Sequence, residues 1–370
     1  MLTSTKEPAF AVEMPPYVQP SGTEPTVPVT TAQRPALRTV GFYGKALSKS
    51  LDPKIFRPNP KRLGWFGFTF LGIAGSLVAM VSLDPIWPVK LLLGLFIGFC
   101  TGALAFATHE LFHGSIVRNQ KLQHFLGFFG LTPFLIAPTY WVTSHNRLHH
   151  AKAQQLVRDP DAFPNLRIYK TSKYMKFMFP FTPGSKSLRS YLYFFFWFTA
   201  HNLGTQLYFR FKNKSFDGMN HTRASIELAA QVLIIAGVAI AVGPQNWLWA
   251  LVIPFLAQNY LLMSYISTNH NLSPLTNEND PLANTLSVSN HPVLEFLHLN
   301  FGYHVEHHIF PTVSGAYTKQ IHKELVRQFP ETYKIMPKWD AVRSLYKTAR
   351  IYKNHHELIH PDTHDVFPTL

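Results

Sequence analysis

The chain has 370 residues and a formal net charge of +14, because 34 Lys and Arg residues outnumber 20 Asp and Glu residues. A charge of this sign suits nucleic acid, anionic lipid headgroups or an acidic protein partner, but no nucleic-acid-binding motif supports the first. The single cysteine, Cys100, excludes intramolecular disulfides and multi-thiolate metal sites. Histidine is frequent by comparison, with 19 residues.

The N-terminal segment differs in composition from the rest of the chain. Its first 50 residues are rich in Pro, Thr and Glu, contain little aliphatic sequence and lack the apolar core of a signal peptide. This composition predicts a disordered cytoplasmic tail over residues 1–50. We expect a membrane and cap domain over residues 51–330 to follow, and a cytoplasmic extension over residues 331–370 to end the chain.

Four apolar segments are candidates for membrane-spanning helices, because a helix needs about 20 apolar residues to cross a hydrocarbon core of about 30 Å. They cover residues 64–83, 91–107, 225–242 and 247–267. The second becomes long enough when it is extended back over Trp87. Short turns join the segments into two helical hairpins. The sequence therefore predicts an all-α integral membrane protein with four spanning helices.

The basic residues indicate how these hairpins are oriented. Apart from Lys90, nearly all Lys and Arg residues lie in the N-terminal arm, in residues 108–224 or after residue 268. Cytoplasmic segments of membrane proteins are enriched in Lys and Arg. Both termini and the large middle segment are therefore predicted to be cytoplasmic.

Two further apolar stretches, residues 125–137 and 191–211, complicate this topology. The first is too short to span a bilayer. The second is long enough, but polar side chains such as His201 and Gln206 interrupt it. We assign both to helices that lie in the membrane plane or re-enter it. A spanning second stretch would put the histidine clusters described next on opposite sides of the bilayer.

Three clusters of histidine have helical spacing and lie near the ends of predicted spans. They are His109 and His113, then His145, His149 and His150, and finally His304, His307 and His308. Residues four apart on a helix project from one face, where two imidazoles can share a metal. His270, just beyond the fourth span, is a ninth candidate. We expect His124, His201, His291 and His298 to be packed or surface residues.

The number of histidines indicates the kind of metal site. The segment from His109 to His113 matches the HExxH pattern of zinc metalloproteases, so a membrane zinc protease is a remote alternative. A catalytic zinc takes three protein ligands, whereas eight or nine histidines suit two metals. Imidazole binds Fe, Cu, Zn and Ni, so ligand type does not identify the metal. A further alternative is a histidine-rich metal transporter or sensor. A transporter would hold its ligands near the bilayer midplane, whereas these histidines are predicted to lie beyond helix ends.

The three motifs, HxxxH, HxxxHH and HxxHH, resemble those of the membrane fatty acid desaturase family in spacing, in order and in placement around two hairpins. The similarity covers roughly residues 60–325. It implies a cytoplasmic helical cap that holds two irons through the eight motif histidines, with His270 as an additional ligand and Asn300 as a water-mediated contact. Glu110 and Glu306, each beside a motif histidine, are candidates for carboxylates that orient a ligand ring.

The resemblance also implies O₂-dependent desaturation of a fatty acyl chain, with iron as cofactor and O₂ as co-substrate. Related enzymes with similar motifs hydroxylate acyl chains or decarboxylate a fatty acid to a terminal alkene, and both outcomes stay open. So does the substrate form, which is a free acid, a lipid, an acyl carrier or a coenzyme A ester. Tyr140 and Trp141 could line an acyl channel or anchor the chain at the membrane interface. The sequence around Asp159 and Asp161 predicts a loop, and these two side chains are candidates for contact with the substrate.

No fused electron donor is visible in the sequence. It contains no His-Pro-Gly-Gly haem-binding segment, no GxGxxG dinucleotide motif and no cysteine cluster. We therefore expect a separate donor such as ferredoxin or cytochrome b5. The basic surface suits an acidic carrier, and it suits anionic membrane lipid equally well.

Overall fold

The computed structural model describes residues 36–370. Its α-helices are α1 (Val40–Leu47), α2 (Leu63–Ser82), α3 (Trp87–Phe112), α4 (Gln120–Leu131), α5 (Pro138–Trp141), α6 (His150–Lys152), α7 (Leu166–Thr171), α8 (Lys173–Met178), α9 (Tyr193–Leu207), α10 (His221–Val242), α11 (Ile253–His270), α12 (Pro281–Asn284), α13 (Pro292–Leu297), α14 (His304–Ile309), α15 (Thr318–Gln328) and α16 (Lys338–Lys347). Its strands are β1 (Ser287–Ser289), β2 (Ile335–Pro337), β3 (Glu357–Ile359) and β4 (Val366–Pro368).

Shorter helical turns connect these elements. Two π-helical segments, Val142–His149 and Leu248–Val252, lead into α6 and α11. The 3-10 turns are Pro53–Phe56, Pro60–Arg62, Thr132–Phe134, Phe179–Phe181, Leu188–Leu192, Phe209–Phe211, Lys214–Phe216, Pro244–Asn246 and Gly315–Tyr317.

Most of the predicted N-terminal tail, residues 1–50, lies outside the described residues. Its last part contains α1, whose Tyr43 and Leu47 pack in a buried cluster with Val305 and Ile309 of α14. An ordered segment therefore begins before residue 50. Residues 37–370 form one compact unit, which includes the predicted extension over residues 331–370.

The four predicted spanning helices are present, so the predicted fold class is confirmed. Within the described residues, four helical segments are long and apolar enough to cross a membrane: Pro60–Ser82, Trp87–Phe112, His221–Val242 and Leu248–His270. The first and third expose large apolar side chains such as Leu71 and Ile240, as expected for lipid-facing helices. The second and fourth are largely buried and form the inner pair.

A row of glycines lets the two inner helices pack closely. Gly94, Gly98 and Gly102 are four residues apart on α3 and face α11 and the π-helical turn before it. A Cβ atom added to any of them would collide with Trp249, Ala257 or Leu261 respectively. Small residues at this spacing allow helix backbones to approach each other in a membrane, where van der Waals packing rather than the hydrophobic effect holds helices together.

The first of the two ambiguous apolar stretches lies at a sharp bend between two helical segments. The segment from Gln120 to Phe134 meets Pro138–Lys152 at an angle of 96°. Irregular backbone at membrane depth needs internal hydrogen-bond partners, because lipid offers none. Three glutamines from three helices supply them: Gln206 of α9, Gln231 of α10 and Gln258 of α11. They donate to the carbonyl oxygens of Leu135, Ile136 and Pro133, each at 2.9 Å.

The second ambiguous stretch forms α9, which has 15 residues and is not among the candidate spans. It packs along α11, where Ser267 Oγ lies 3.3 Å from Tyr193 Oη and the Thr199 amide donates to Asn259 Oδ1 at 3.0 Å. The cap also contains two short sheets. Strand β1 pairs in parallel with β2, and β3 pairs antiparallel with β4.

Candidate metal centre

The nine candidate histidines come together in two adjoining groups. The five-histidine group consists of His109, His113, His145, His150 and His307, and the four-histidine group consists of His149, His270, His304 and His308. Within each group, one ring nitrogen per residue lies within 4.8 Å of all the others. The groups adjoin where the rings of His150 and His308 stack, with centroids 4.4 Å apart.

Helix ends place most of these side chains. His109 and His113 lie at the end of α3, and His270 is the last residue of α11. The third motif forms α14, a helix of six residues, in which His304 and His308 face one group and His307 faces the other. Of the three motifs, only the first therefore keeps all its rings in one group.

The second motif is divided between the groups because its helix is wider than an α-helix. Val142–His149 is π-helical, so residues five apart lie on one face. His145 Nε2 and His150 Nε2 are 3.2 Å apart as a result, whereas His149 turns to the four-histidine group. His145 and His149 therefore lie in different all-histidine groups, and they share only a third set of candidate ligands, in which Asp161 is the other member.

The arrangement fits two metal ions. Two ligands at right angles, each about 2.1 Å from a metal, are about 3.0 Å apart. Nε2 atoms are 3.1 Å apart in His307 and His150, and 2.9 Å apart in His270 and His304. Other ring nitrogens in the groups, including His109 Nε2, His113 Nε2 and both nitrogens of His308, are buried and have no hydrogen-bond partner among residues 36–370.

The electrostatic environment keeps the third motif in the form that binds metals. Burial lowers the pKa of His304, His307 and His308 well below the usual value of histidine, and neighbouring imidazoles lower each pKa further. Neutral imidazole is the metal-binding form of this side chain. These rings are therefore available as ligands at any pH near neutrality.

A carboxylate that the sequence reasoning did not assign to the centre orients one of the rings. Asp159 Oδ1 accepts a hydrogen bond from His149 Nδ1 at 3.0 Å, which leaves Nε2 of His149 free for a metal. Asp161 lies 3.4 Å from the same Nδ1 atom and 3.2 Å from His201 Nε2. A carboxylate behind a histidine ligand fixes the tautomer and raises the basicity of the ring. The available signal was the position of Asp159, ten residues after His149 in a short loop.

Glu110 and Asn300, which were predicted to support the centre, form hydrogen bonds with other parts of the described chain. Glu110 accepts a hydrogen bond from Ser314 Oγ at 2.9 Å and lies 3.5 Å from the Arg62 guanidinium. The side-chain amide of Asn300 donates to the Gly315 carbonyl at 2.9 Å. Both residues therefore brace the loop that follows α14, and neither has a hydrogen bond to a ring of the two groups.

Glu306 is also turned away from the histidine groups. It accepts hydrogen bonds from Ser287 Oγ and Tyr333 Oη, each at 2.6 Å, and lies 3.4 Å from His322 Nδ1. Burial raises the pKa of Tyr333, and the Glu306 carboxylate raises it further. Glu306 therefore connects α14 to β1 and to the chain after α15.

The other histidines bind partners outside the two groups. His124 Nε2 lies 2.8 Å from Glu227 Oε1, and His298 Nδ1 lies 2.8 Å from Tyr265 Oη. His291 caps α13 by accepting a hydrogen bond from the Val293 amide. His201, in contrast, contacts Asp161, which in turn lies beside His149 of the four-histidine group.

An apolar cavity of about 360 Å³ opens onto both groups. Five of the nine histidines line it, namely His109, His145, His149, His270 and His304. Trp141 lines it as well, whereas Tyr140 is buried and stacks on Phe216. The remaining wall comes from α3, α9, α11 and the cap segment between residues 156 and 182, and it is mostly aliphatic and aromatic. A long apolar substrate placed here would contact the rings directly.

Comparison with known proteins places these features in a family context. A family model described as Fatty acid desaturase matches residues 85–339, which is more than half of the chain and contains all nine histidines. The sn-1 acyl-lipid omega-3 desaturase (ferredoxin) of Synechocystis sp. is 26% identical to this chain over 138 residues. That alignment covers 37% of this chain and 38% of the relative, so it spans less than half of either protein.

Proposed function

Because this chain belongs to the fatty acid desaturase family, we propose that it inserts a double bond into a fatty acyl chain at a two-iron centre, using O₂. The observation that carries the proposal is the pair of histidine groups at the wall of one apolar cavity. Nine imidazoles around two adjoining positions suit two metals of borderline softness, and iron is among those that support oxygen chemistry.

Two bound irons would supply the reduction of O₂ with two external electrons and the oxidising power to remove two hydrogens from neighbouring methylene groups. The overall reaction consumes O₂, two electrons and two protons and yields the alkene and two water molecules. No amino-acid side chain is a strong enough oxidant for an unactivated methylene. The role of the protein is therefore to bind the acyl chain, to orient the ligand rings and to exclude water.

Two sets of residues carry out that role in the proposed reaction. Asp159 holds the ring of His149 in one orientation. Phe106, Leu262 and Met263 line the cavity beside the histidines and bind the acyl chain by apolar contact. The same side chains keep bulk water away from the reacting carbon, which limits side reactions of the oxidant.

The electrons come from a separate protein in this proposal. The relative from Synechocystis carries ferredoxin in its name, and a ferredoxin or a cytochrome b5 is the class of donor we propose here. The concentration of Lys and Arg outside the two hairpins supports a cytoplasmic location for both termini and for the histidine groups, where such a donor can dock.

The alternative function, a membrane zinc protease, has less support. In that mechanism the glutamate of the HExxH motif activates a metal-bound water. Glu110 instead contacts Ser314 and Arg62, and His113 shares its group with three histidines from outside the motif.

The test combines metal content with product analysis. Detergent-purified protein is expected to contain about two irons per chain. His307→Ala combined with His308→Ala removes one ring from each group and at least about half of the metal. With O₂, an electron donor and an acyl substrate, mass spectrometry is expected to detect loss of two hydrogens. Gain of oxygen would indicate a hydroxylase and loss of the carboxyl carbon a decarboxylase. One zinc that the double variant retains would overturn the proposal.

A further inference from the structure

Arg350 is a buried cation in the wall of the cavity. It follows α16, is 1% exposed and lines the cavity beside Ile351 and Asn271. Its guanidinium donates to the carbonyl oxygens of Asn271 and Thr348 and to the Thr348 hydroxyl. These contacts fix the side chain, but all of them are to neutral groups.

The charge of Arg350 has no acidic partner among the described residues. None of their Asp or Glu side chains forms an ion pair with it, whereas the buried Arg62 has Glu110. Burial lowers the pKa of Arg350 to about 10, and the nearby Tyr352 and Tyr193 oppose that change. A guanidinium remains charged near neutrality under these conditions. Burying a charge without an opposite charge is costly, so an anionic ligand at this position would be favoured.

The position of Arg350 gives the cavity a polar end and an apolar end. Along α11, the lining residues Leu262 and Met263 precede His270, and Arg350 contacts Asn271 on the far side of it. Leu262 and Asn271 are nine positions apart in the sequence, which corresponds to about 13.5 Å along a helix. A chain that extends from Arg350 to Leu262 therefore passes the four-histidine group.

The backbone around Arg350 is built for close packing. Gly184, with a φ of 78°, lies directly against Thr348, and a Cβ atom at residue 184 would collide with the Thr348 carbonyl. Thr348 in turn provides two of the acceptors for Arg350. The cap loop and the C-terminal segment thus hold the guanidinium in place before any ligand arrives, which reduces the entropy lost on binding.

We propose that Arg350 binds the carboxylate of a free fatty acid, whose alkyl chain runs past the histidines with its methyl end between α3 and α11. The inference deepens the proposed function, on which it rests, by naming the substrate form. An ester or thioester carries no negative charge at this position and leaves the guanidinium uncompensated. A carboxylate forms charge-assisted hydrogen bonds with it.

Binding is measured by tryptophan quenching, because Trp141 and Trp197 line the cavity. The probes are a dibrominated stearic acid and its methyl ester, titrated into the metal-containing protein in detergent at a pH of about 8, where the carboxylate is ionised. The ratio of the two dissociation constants is compared between the natural protein and Arg350→Gln in the same detergent, so differences in micelle partitioning cancel.

Arg350→Gln is expected to weaken binding of the acid at least about tenfold and to leave binding of the ester unchanged, which also shows that the cavity is intact. Arg350→Lys, which keeps the charge if the glutamine variant does not fold, is expected to retain part of the preference for the acid. Arg343→Gln is the control, since Arg343 is exposed and pairs with Asp340.

An unchanged ratio in Arg350→Gln, or equal weakening of acid and ester, would overturn the inference. The measurement needs no turnover. Acid-selective binding without desaturation would therefore contradict the proposed function alone, and desaturation without acid selectivity would contradict this inference alone.

Discussion

The two histidine groups differ in ligand number, burial and support. All four rings of the four-histidine group are buried, and Asp159 holds one of them. In the five-histidine group, His113, His145, His150 and His307 are only partly buried. Within residues 36–370 no carboxylate forms a hydrogen bond with a ring of this group, although Asp161 lies within 4.8 Å of His145. One position is thus enclosed with the smaller ligand set, and the other is more open with an additional ring.

The two proposed metals therefore depend on the chain in different ways. A site with four rings has no spare ligand, so it relies on the orientation of each ring. A site with five rings tolerates the loss of one, but its half-buried rings give chelators and solvent easier access. We therefore expect the enclosed site to be sensitive to mutation and the open site to be sensitive to chelation.

The largest effect is expected when one ring is removed from each group in turn. His308→Ala leaves three rings in the enclosed group and is expected to lose about one of two metals together with all activity. His307→Ala leaves four rings in the open group and is expected to retain most of its metal. Metal content of the two purified variants, measured side by side, makes the comparison. Equal losses would show that the groups act as one site.

The spanning helices and the convergence of the nine histidines could be predicted because both depend on local sequence. The length of apolar segments indicates a span, and the same four spans are present in the structure. Histidine spacing on a helix indicates rings that converge. The glycine row of α3 was also visible as Gly94, Gly98 and Gly102, but its meaning depends on α11, which lies more than 140 residues later in the chain.

The division of the rings and their supporting contacts were not predictable from spacing. His145 and His149 lie in different all-histidine groups because the segment is π-helical, and an α-helical periodicity gives no sign of this. Gln206, Gln231 and Gln258 looked like interruptions of apolar stretches, whereas they satisfy backbone carbonyls at a bend. Adjacency to a motif histidine does not show where Glu110 and Glu306 point, because neighbouring residues on a helix point in different directions. The hydrogen bonds of both carboxylates are to residues outside the two groups.

A smaller effect, confined to the enclosed site, is expected from Asp159→Asn. The amide no longer holds His149 as a carboxylate does, and loss of such a partner typically weakens metal binding about 10- to 100-fold. Competition with a chromophoric chelator is expected to show one weakened site and one unchanged site. Asp161→Asn serves as the matched control, because Asp161 is more exposed and lies farther from the His149 ring. Uniform weakening of both sites would contradict a role for Asp159 in one group alone.

The smallest effect on metal content is expected from Glu306→Gln. Glu306 lies between two ligand residues of α14 in sequence, so a role in orienting a ring predicts a loss of metal like that of Asp159→Asn. Its hydrogen bonds to Ser287 and Tyr333 predict otherwise: metal content is unchanged, and stability falls by about 1–3 kcal/mol because a buried charge-assisted bond is lost. Chelator competition and thermal unfolding of the same preparation separate the outcomes. A weakened metal site with unchanged stability would show that Glu306 orients a ligand ring. Support by Asp159 would then no longer distinguish the enclosed group.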